Sequence, residues 1–217
     1  GSAVGDYDAL LTVWVEDTQY ALDYLSELNT SDEILAGAFN LERVGAFGHS
    51  FGGATSANVS LVDDRVLASL NMDGTLFGDA AQGVAKPFMM MSAPIPEVTD
   101  DDLAAVGMTR DMLDDFLVEH NNSITGAMAT SEAPYHLEIA GTLHGTYSTD
   151  IALLRALLPD AITPEVIGTI DGKRANDVIV AYTAAFFNQY LLGEESPLLD
   201  GASADYPEVD AKIIPAP

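Results

Sequence analysis

The sequence predicts an α/β protein, a mainly parallel sheet flanked by helices, in a single domain over residues 1–217. Three observations predict it. Short apolar runs, "VGAFG", "VLASLNM", "PFMMMS" and "YHLEIA", recur along the chain. Most are near-continuous rather than strictly alternating, which is how strands buried on both faces of a parallel sheet read. Between them lie longer stretches with helical spacing.

Taken in order, residues 8–28 place Leu11, Val15, Ala21, Leu22 and Leu25 at helical spacing, and a polar connection from Asn29 to Asn40 follows. Arg43–Gly48 reads as a buried strand and Phe51–Leu61 as a helix of small residues. Val66–Met72 is a second strand, ending at Asp73-Gly74, and Pro87–Ser92 a third. Residues 99–120 read as two short helices with Thr99 and Thr109 as N-caps. Residues 95–133 as a whole, with Met108, Met112, Phe116 and Leu117, suit a small cap or a packed helical insertion. Tyr135–Ala140 is a fourth strand, and Tyr147–Leu158 a helix stopped by Pro159. Arg174–Leu192 is a long helix carrying Val178, Ile179, Tyr182, Phe186 and Tyr190 on one face, with Gly193 past its end. The Pro-containing tail is expected to wrap the surface.

Composition narrows the function. The chain has no cysteine, which excludes disulfides, thiolate metal sites and cysteine nucleophiles. Its 34 acidic residues against 8 basic ones give a net charge of −26, a field that repels phosphate backbones, so no nucleic-acid partner is expected. Such a surface suits a salt-rich setting, because the Debye length falls to about 3 Å at 1 M salt and self-repulsion is screened. Asp100-Asp101-Asp102 and Asp114-Asp115 read as solvated faces or helix starts. No run of about 18 apolar residues suggests a membrane span, and the first residues do not read as a signal peptide.

The chemistry-bearing stretch is "RVGAFGHSFGGATSAN", where Ser50 stands between Gly48 and Gly52. Gly-x-Ser-x-Gly alone is a weak signal. Here it lies between a predicted strand and a predicted helix, where a nucleophile elbow must be. The turn strains the serine, and glycines on either side are expected to remove Cβ atoms that would collide. The helix start behind it offers the Phe51 N–H as an oxyanion donor.

A serine hydroxyl needs a base, and four histidines are available. His49, inside the elbow, is expected to point away from Ser50 as a supporting residue. His120 is placed at the end of a surface helix and His136 within a strand. His144, in "GTLHGTYSTD", follows the last strand at the carboxyl edge, where parallel sheets bind ligands. The acid that orients the base is Glu97 or Asp100 in one arrangement and Asp73 in another, and the abrupt Asp73-Gly74 after an apolar strand favours Asp73. The histidines lack metal-ligand spacing, so neither a metal nor another cofactor is called for.

"GHSFGGAT", "LNMDGTLFG" and "GTLHGTYSTD", preceded by "VEDTQYALDYL", resemble the platelet-activating-factor acetylhydrolase-like and bacterial esterase branch of the α/β-hydrolase superfamily, over about Val13 to Leu199. The resemblance implies Ser50 as nucleophile, Asp73 as acid and His144 as base, acting on small ester substrates. Polyester hydrolases are neighbouring relatives, but they usually carry their acid one strand later.

In that fold the elbow follows the fifth strand, and a second oxyanion donor comes from a loop after the third. Only a helix and a connector precede Ser50 here, so the resemblance implies strands five to eight without the first four. Two expectations follow. The Arg43–Gly48 edge should be open to a homodimer partner or a complementing chain. Turnover without the second donor should be about 100- to 1,000-fold slower.

Overall fold

The computed structural model describes residues 4–148, 154–155, 157–158 and 160–213. Among these a five-stranded sheet runs in the order β1 (Val44–His49), β2 (Val66–Met72), β3 (Phe88–Ser92), β4 (Pro134–Ile139) and β5 (Val209–Ile213). The first four strands are parallel, and β5 lies antiparallel on β4, pairing Leu137 with Ala211 and Ile139 with Val209. The tail expected to wrap the surface therefore supplies a strand. "VDAKI" is short, with charge on alternate residues, and suits an edge that needs only one apolar face.

Period-two alternation divides the core in two. Met89 and Met91 face a cluster with Leu70, Tyr135, Leu137, Tyr182 and Phe186, whereas Phe88 and Met90 face Ala57, Leu76, Ile124 and Met128. The first cluster is covered by the helix at Gly172–Phe187. The second is covered by α2 (Phe51–Val62) and the helix at Arg110–Ala129. Both faces of β3 are thus sealed, which is why Phe88–Met91 are apolar without alternation.

Other helices among the described residues are α1 (Val4–Ser31), α3 (Asp100–Ala105), α4 (Arg110–Ala129), α5 (Pro164–Ile167) and α6 (Gly172–Phe187), besides helical residues at 154–155 and 157. Thr99 caps α3 in a reciprocal box with Asp102, and the Thr109 hydroxyl accepts from the N–H of Met112 to start α4. Helix α4 continues well past His120, because Ile124, Ala127 and Met128 find buried places in the second cluster. Helix α6 begins on Asp171, widens into a π turn at Asn188–Leu192 and stops at Gly193, whose φ of 75° is left-handed. The helix expected over Tyr147–Leu158 falls largely outside the described residues.

Strand β1 is half-buried rather than buried, and Phe47 is 60% exposed. Among the described residues it pairs on one side only, with β2. Helix α1 packs along α2 through Leu11 yet leaves Leu10, Val13, Trp14, Tyr20 and Tyr24 exposed. No helix among the described residues is long and apolar enough to cross a membrane.

Candidate active site

Strand β1 delivers the chain into a turn too tight for ordinary backbone. Ser50 stands at φ 57° and ψ −126°, a conformation that non-glycine residues rarely adopt, with its N–H on the Met72 carbonyl at 2.9 Å. Its side chain does not cap α2 and is free to face outward.

Glycines make the turn possible, though not all as expected. A Cβ on Gly48 would lie 2.3 Å from the carbonyl carbon of Gly52, so Gly48 is required. A Cβ on Gly52 would meet nothing within 4 Å, because that residue faces an open groove beside Trp14 and Phe47. The collision is avoided instead at Gly53, 2.1 Å from Asn71 Oδ1, and at Gly74, 2.0 Å from the Ser50 carbonyl oxygen.

Asn71 is the buried brace between the two turns. Its amide nitrogen donates to the Gly74 carbonyl at 2.9 Å, and its oxygen accepts from the Gly74 N–H at 2.8 Å. The signal for it was in the sequence: a fully polar amide inside the apolar run "VLASLNM" has to find partners.

Asp73 follows directly after β2, also with positive φ (54°). Its N–H bonds the Met91 carbonyl at 2.7 Å, Oδ1 accepts from the Ala93 N–H at 2.8 Å, and Oδ2 lies 2.8 Å from His144 Nδ1. Nε2 of His144 lies 3.0 Å from Ser50 Oγ. A carboxylate accepts, so Nδ1 of the neutral imidazole carries the proton and Nε2 is left to accept from the serine hydroxyl. Of the three acids weighed from the sequence, it is Asp73 that His144 meets. Asp100 opens α3 and pairs with Arg110 at 2.7 Å.

The His144 turn (His144–Tyr147) follows β4 and is tied down through Thr146, whose hydroxyl accepts from the Leu143 N–H and donates to the Ile167 carbonyl. Phe51 is the first residue of α2, where a main-chain N–H has no acceptor within the helix. Phe51 directly follows Ser50, at the N-terminal end of that helix. His49 reaches His144 rather than Ser50, with ring centroids 4.5 Å apart. Burial, and secondarily the charge of His144, hold its imidazole below the ordinary histidine range.

These residues open into a cleft of about 690 Å³. Tyr7, Phe51 and Phe77 form an aromatic side, with Tyr7 stacked on Phe77 at 5.4 Å. Leu113, Phe116 and Leu117 of α4 form another side, joined by Pro94 and Ile95. Among the described residues no lysine or arginine lines it.

His120 also lines this cleft, in the body of α4 rather than at a helix end on the surface, stacked on Phe116 and 3.4 Å from the Thr75 hydroxyl. Burial lowers its pKa. The sequence pattern hides it, because weak helix formers from His120 to Ser123 mask the continuation of α4 to Ala129. His136 bonds Ser92 from within β4. No group of three or more His, Cys, Asp or Glu among the described residues converges as a metal site would require.

No protein-family model matches the chain. It is 27% identical, over 91% of its length, to a probable 1-alkyl-2-acetylglycerophosphocholine esterase from Arthroderma benhamiae, of which it covers 48%. Its fold is similar to that of a ferulic acid esterase from Streptomyces cinnamoneus, with a TM-score of 0.71, 28% identity, and coverage of 98% of this chain and 57% of that one. The chain thus spans about half the length of the relatives it matches. In sequence and in fold it is similar to α/β-hydrolase esterases, in line with the resemblance carried by the elbow, the Asp-Gly segment and the histidine loop.

Proposed function

We propose that this protein is a serine hydrolase that cleaves carboxylic esters through an acyl-enzyme. The observation that carries the reading is the chain of contacts from Ser50 Oγ to His144 Nε2 (3.0 Å) and from His144 Nδ1 to Asp73 (2.8 Å), opening on an apolar cleft. Ser50 Oγ attacks the ester carbonyl while His144 takes its proton, and the Phe51 N–H, at the positive end of α2, stabilises the oxyanion. Collapse of the tetrahedral intermediate breaks the bond to the alcohol oxygen, which receives the proton from His144. Water, deprotonated by the same imidazole, then attacks the acyl-enzyme, and Ser50 leaves as the restored hydroxyl. Asp73 holds the imidazole in its Nδ1–H tautomer and stabilises the imidazolium.

The substrate class is neutral esters with a compact or aromatic acyl group. An apolar lining without cationic side chains supports this, as do the esters named for the two relatives. Helices α3 and α4, within residues 95–133, act as a small cap, since α4 forms one side of the cleft. A fluorophosphonate probe tests the assignment: the wild type should be labelled and Ser50→Ala should not. Equal labelling of both removes Ser50 from the role.

The open side of β1 favours a second reading, in which the chain also associates through that edge. Phe47 is exposed on it, and the apolar residues of α1 lie nearby. A second copy adding its own β1 is the proposed occupant, at salt high enough to screen a charge of −26. Mass in solution at 1 M salt should be that of a dimer, reverting to monomer on Phe47→Lys; a monomer throughout contradicts it.

A further inference from the structure

His49 takes no part in the proton transfers above, yet it makes a contact that crosses the site. Its Nε2 lies 2.9 Å from the main-chain carbonyl oxygen of His144, a residue 95 positions away. A carbonyl oxygen can only accept, so Nε2 of His49 carries a proton and donates it. The two rings also touch, and that of the buried Tyr147 is stacked with the His49 ring at 6.4 Å.

We infer that His49 is a positioning residue for the base, its Nε2–H holding the His144 main chain so that the His144 imidazole stays within reach of Ser50 Oγ. The inference rests on the Ser50–His144 reading given above.

The His144 turn needs such a tie. It is a single 3-10 turn whose histidine side chain is 56% exposed, so packing does little to fix that ring. Thr146 anchors the turn to α5, through the carbonyl of Ile167, and makes no bond to the strand that carries the serine. The His49 bond ties the turn to the end of β1. Because His49 and Ser50 are consecutive, nucleophile and base are carried by one fixed unit. Burial holds the His49 imidazole below the ordinary histidine range, which disfavours a second cation beside His144 when it takes the serine proton.

Two substitutions separate positioning from space-filling. His49→Phe keeps a ring against His144 and Tyr147 but has no N–H to donate. His49→Gln keeps a donor at similar reach and gives up the ring. In steady-state hydrolysis of p-nitrophenyl butyrate, His49→Phe should lower kcat about tenfold with KM unchanged, because small displacements of a catalytic group cost rate rather than binding. His49→Gln should recover to within about threefold of the wild type. Amide hydrogen exchange over residues 143–147 should quicken in the Phe variant and not in the Gln variant.

A Phe variant that turns over and exchanges like the wild type overturns the inference, and so does a Gln variant as impaired as Phe. If the wild type neither hydrolyses esters nor reacts with fluorophosphonate, the esterase reading fails. In that case the exchange contrast between the two variants still decides whether His49 holds the turn.

Discussion

Ser50→Ala is expected to lower ester turnover about a millionfold, His144→Ala by about as much, and the double variant by no more than either. The reason lies in how the two groups work in the proposed mechanism. Ser50 Oγ is a weak nucleophile until a base 3.0 Å away removes its proton, and the base has nothing to activate once the hydroxyl is gone. Removing either member therefore removes the whole covalent route. What remains is the contribution of the Phe51 N–H and the cleft, which bind and polarise the ester without forming an acyl-enzyme. Steady-state rates of both single variants and the double variant, corrected for spontaneous hydrolysis, check this. Losses that multiply would mean that Ser50 and His144 act in separate steps, against the mechanism proposed.

Asp73→Asn is expected to lower kcat about 10,000-fold without unfolding the protein. Asparagine tolerates the positive φ of this position, 54°, so the turn survives. Its carboxamide oxygen still accepts from the Ala93 N–H, as Oδ1 of Asp73 does at 2.8 Å. That leaves its NH₂ group facing Nδ1 of His144. Nδ1 must then accept, the ring proton moves to Nε2, and Nε2 points a hydrogen at Ser50 where it should take one. The base is present, in place and in the wrong tautomer. Kinetics at neutral pH together with a thermal melt separate this from damage to the fold. An asparagine variant within tenfold of the wild-type kcat would show that Asp73 is not the orienting acid. Asp73→Ala is a harsher change, because it leaves the Ala93 N–H without its acceptor and puts alanine at a strained φ.

Much of the candidate site was legible because the proposed chemistry needs residues at chain positions that sequence patterns expose. A serine flanked by glycines between an apolar run and a helix, a lone aspartate ending the next strand, and a histidine after the last parallel strand all interrupt regular patterns. The geometry brings Ser50 and Asp73 each within hydrogen-bond reach of His144, one on either ring nitrogen.

Less legible was what depends on packing between segments. Gly52 stood out by its motif, but the steric need falls on Gly48, Gly53 and Gly74, which only the crossing of two turns reveals. The reach of α4 was cut short at "HNNS", whose propensity for helix is weak. Burial of Ile124, Ala127 and Met128 outweighs that propensity and carries His120 into the cleft. The strand β5 escaped notice because an edge strand of five residues has little apolar periodicity to read. That β1 is half-exposed also could not come from its own residues, since burial depends on neighbours.

The three side chains of the site come from the ends of β1, β2 and β4, and the partners Ser50 and His144 are 94 residues apart. During folding, α2 with β1 and β2 can form from nearby segments. The His144 turn can reach Ser50 only after β3 and β4 have joined the sheet in register, which closes the longest loop of the site. The proposed activity would therefore be a late event in the folding of this chain, and a sensitive clock for the last sheet pairing, because a molecule can hold nearly all its secondary structure and still lack the proposed base.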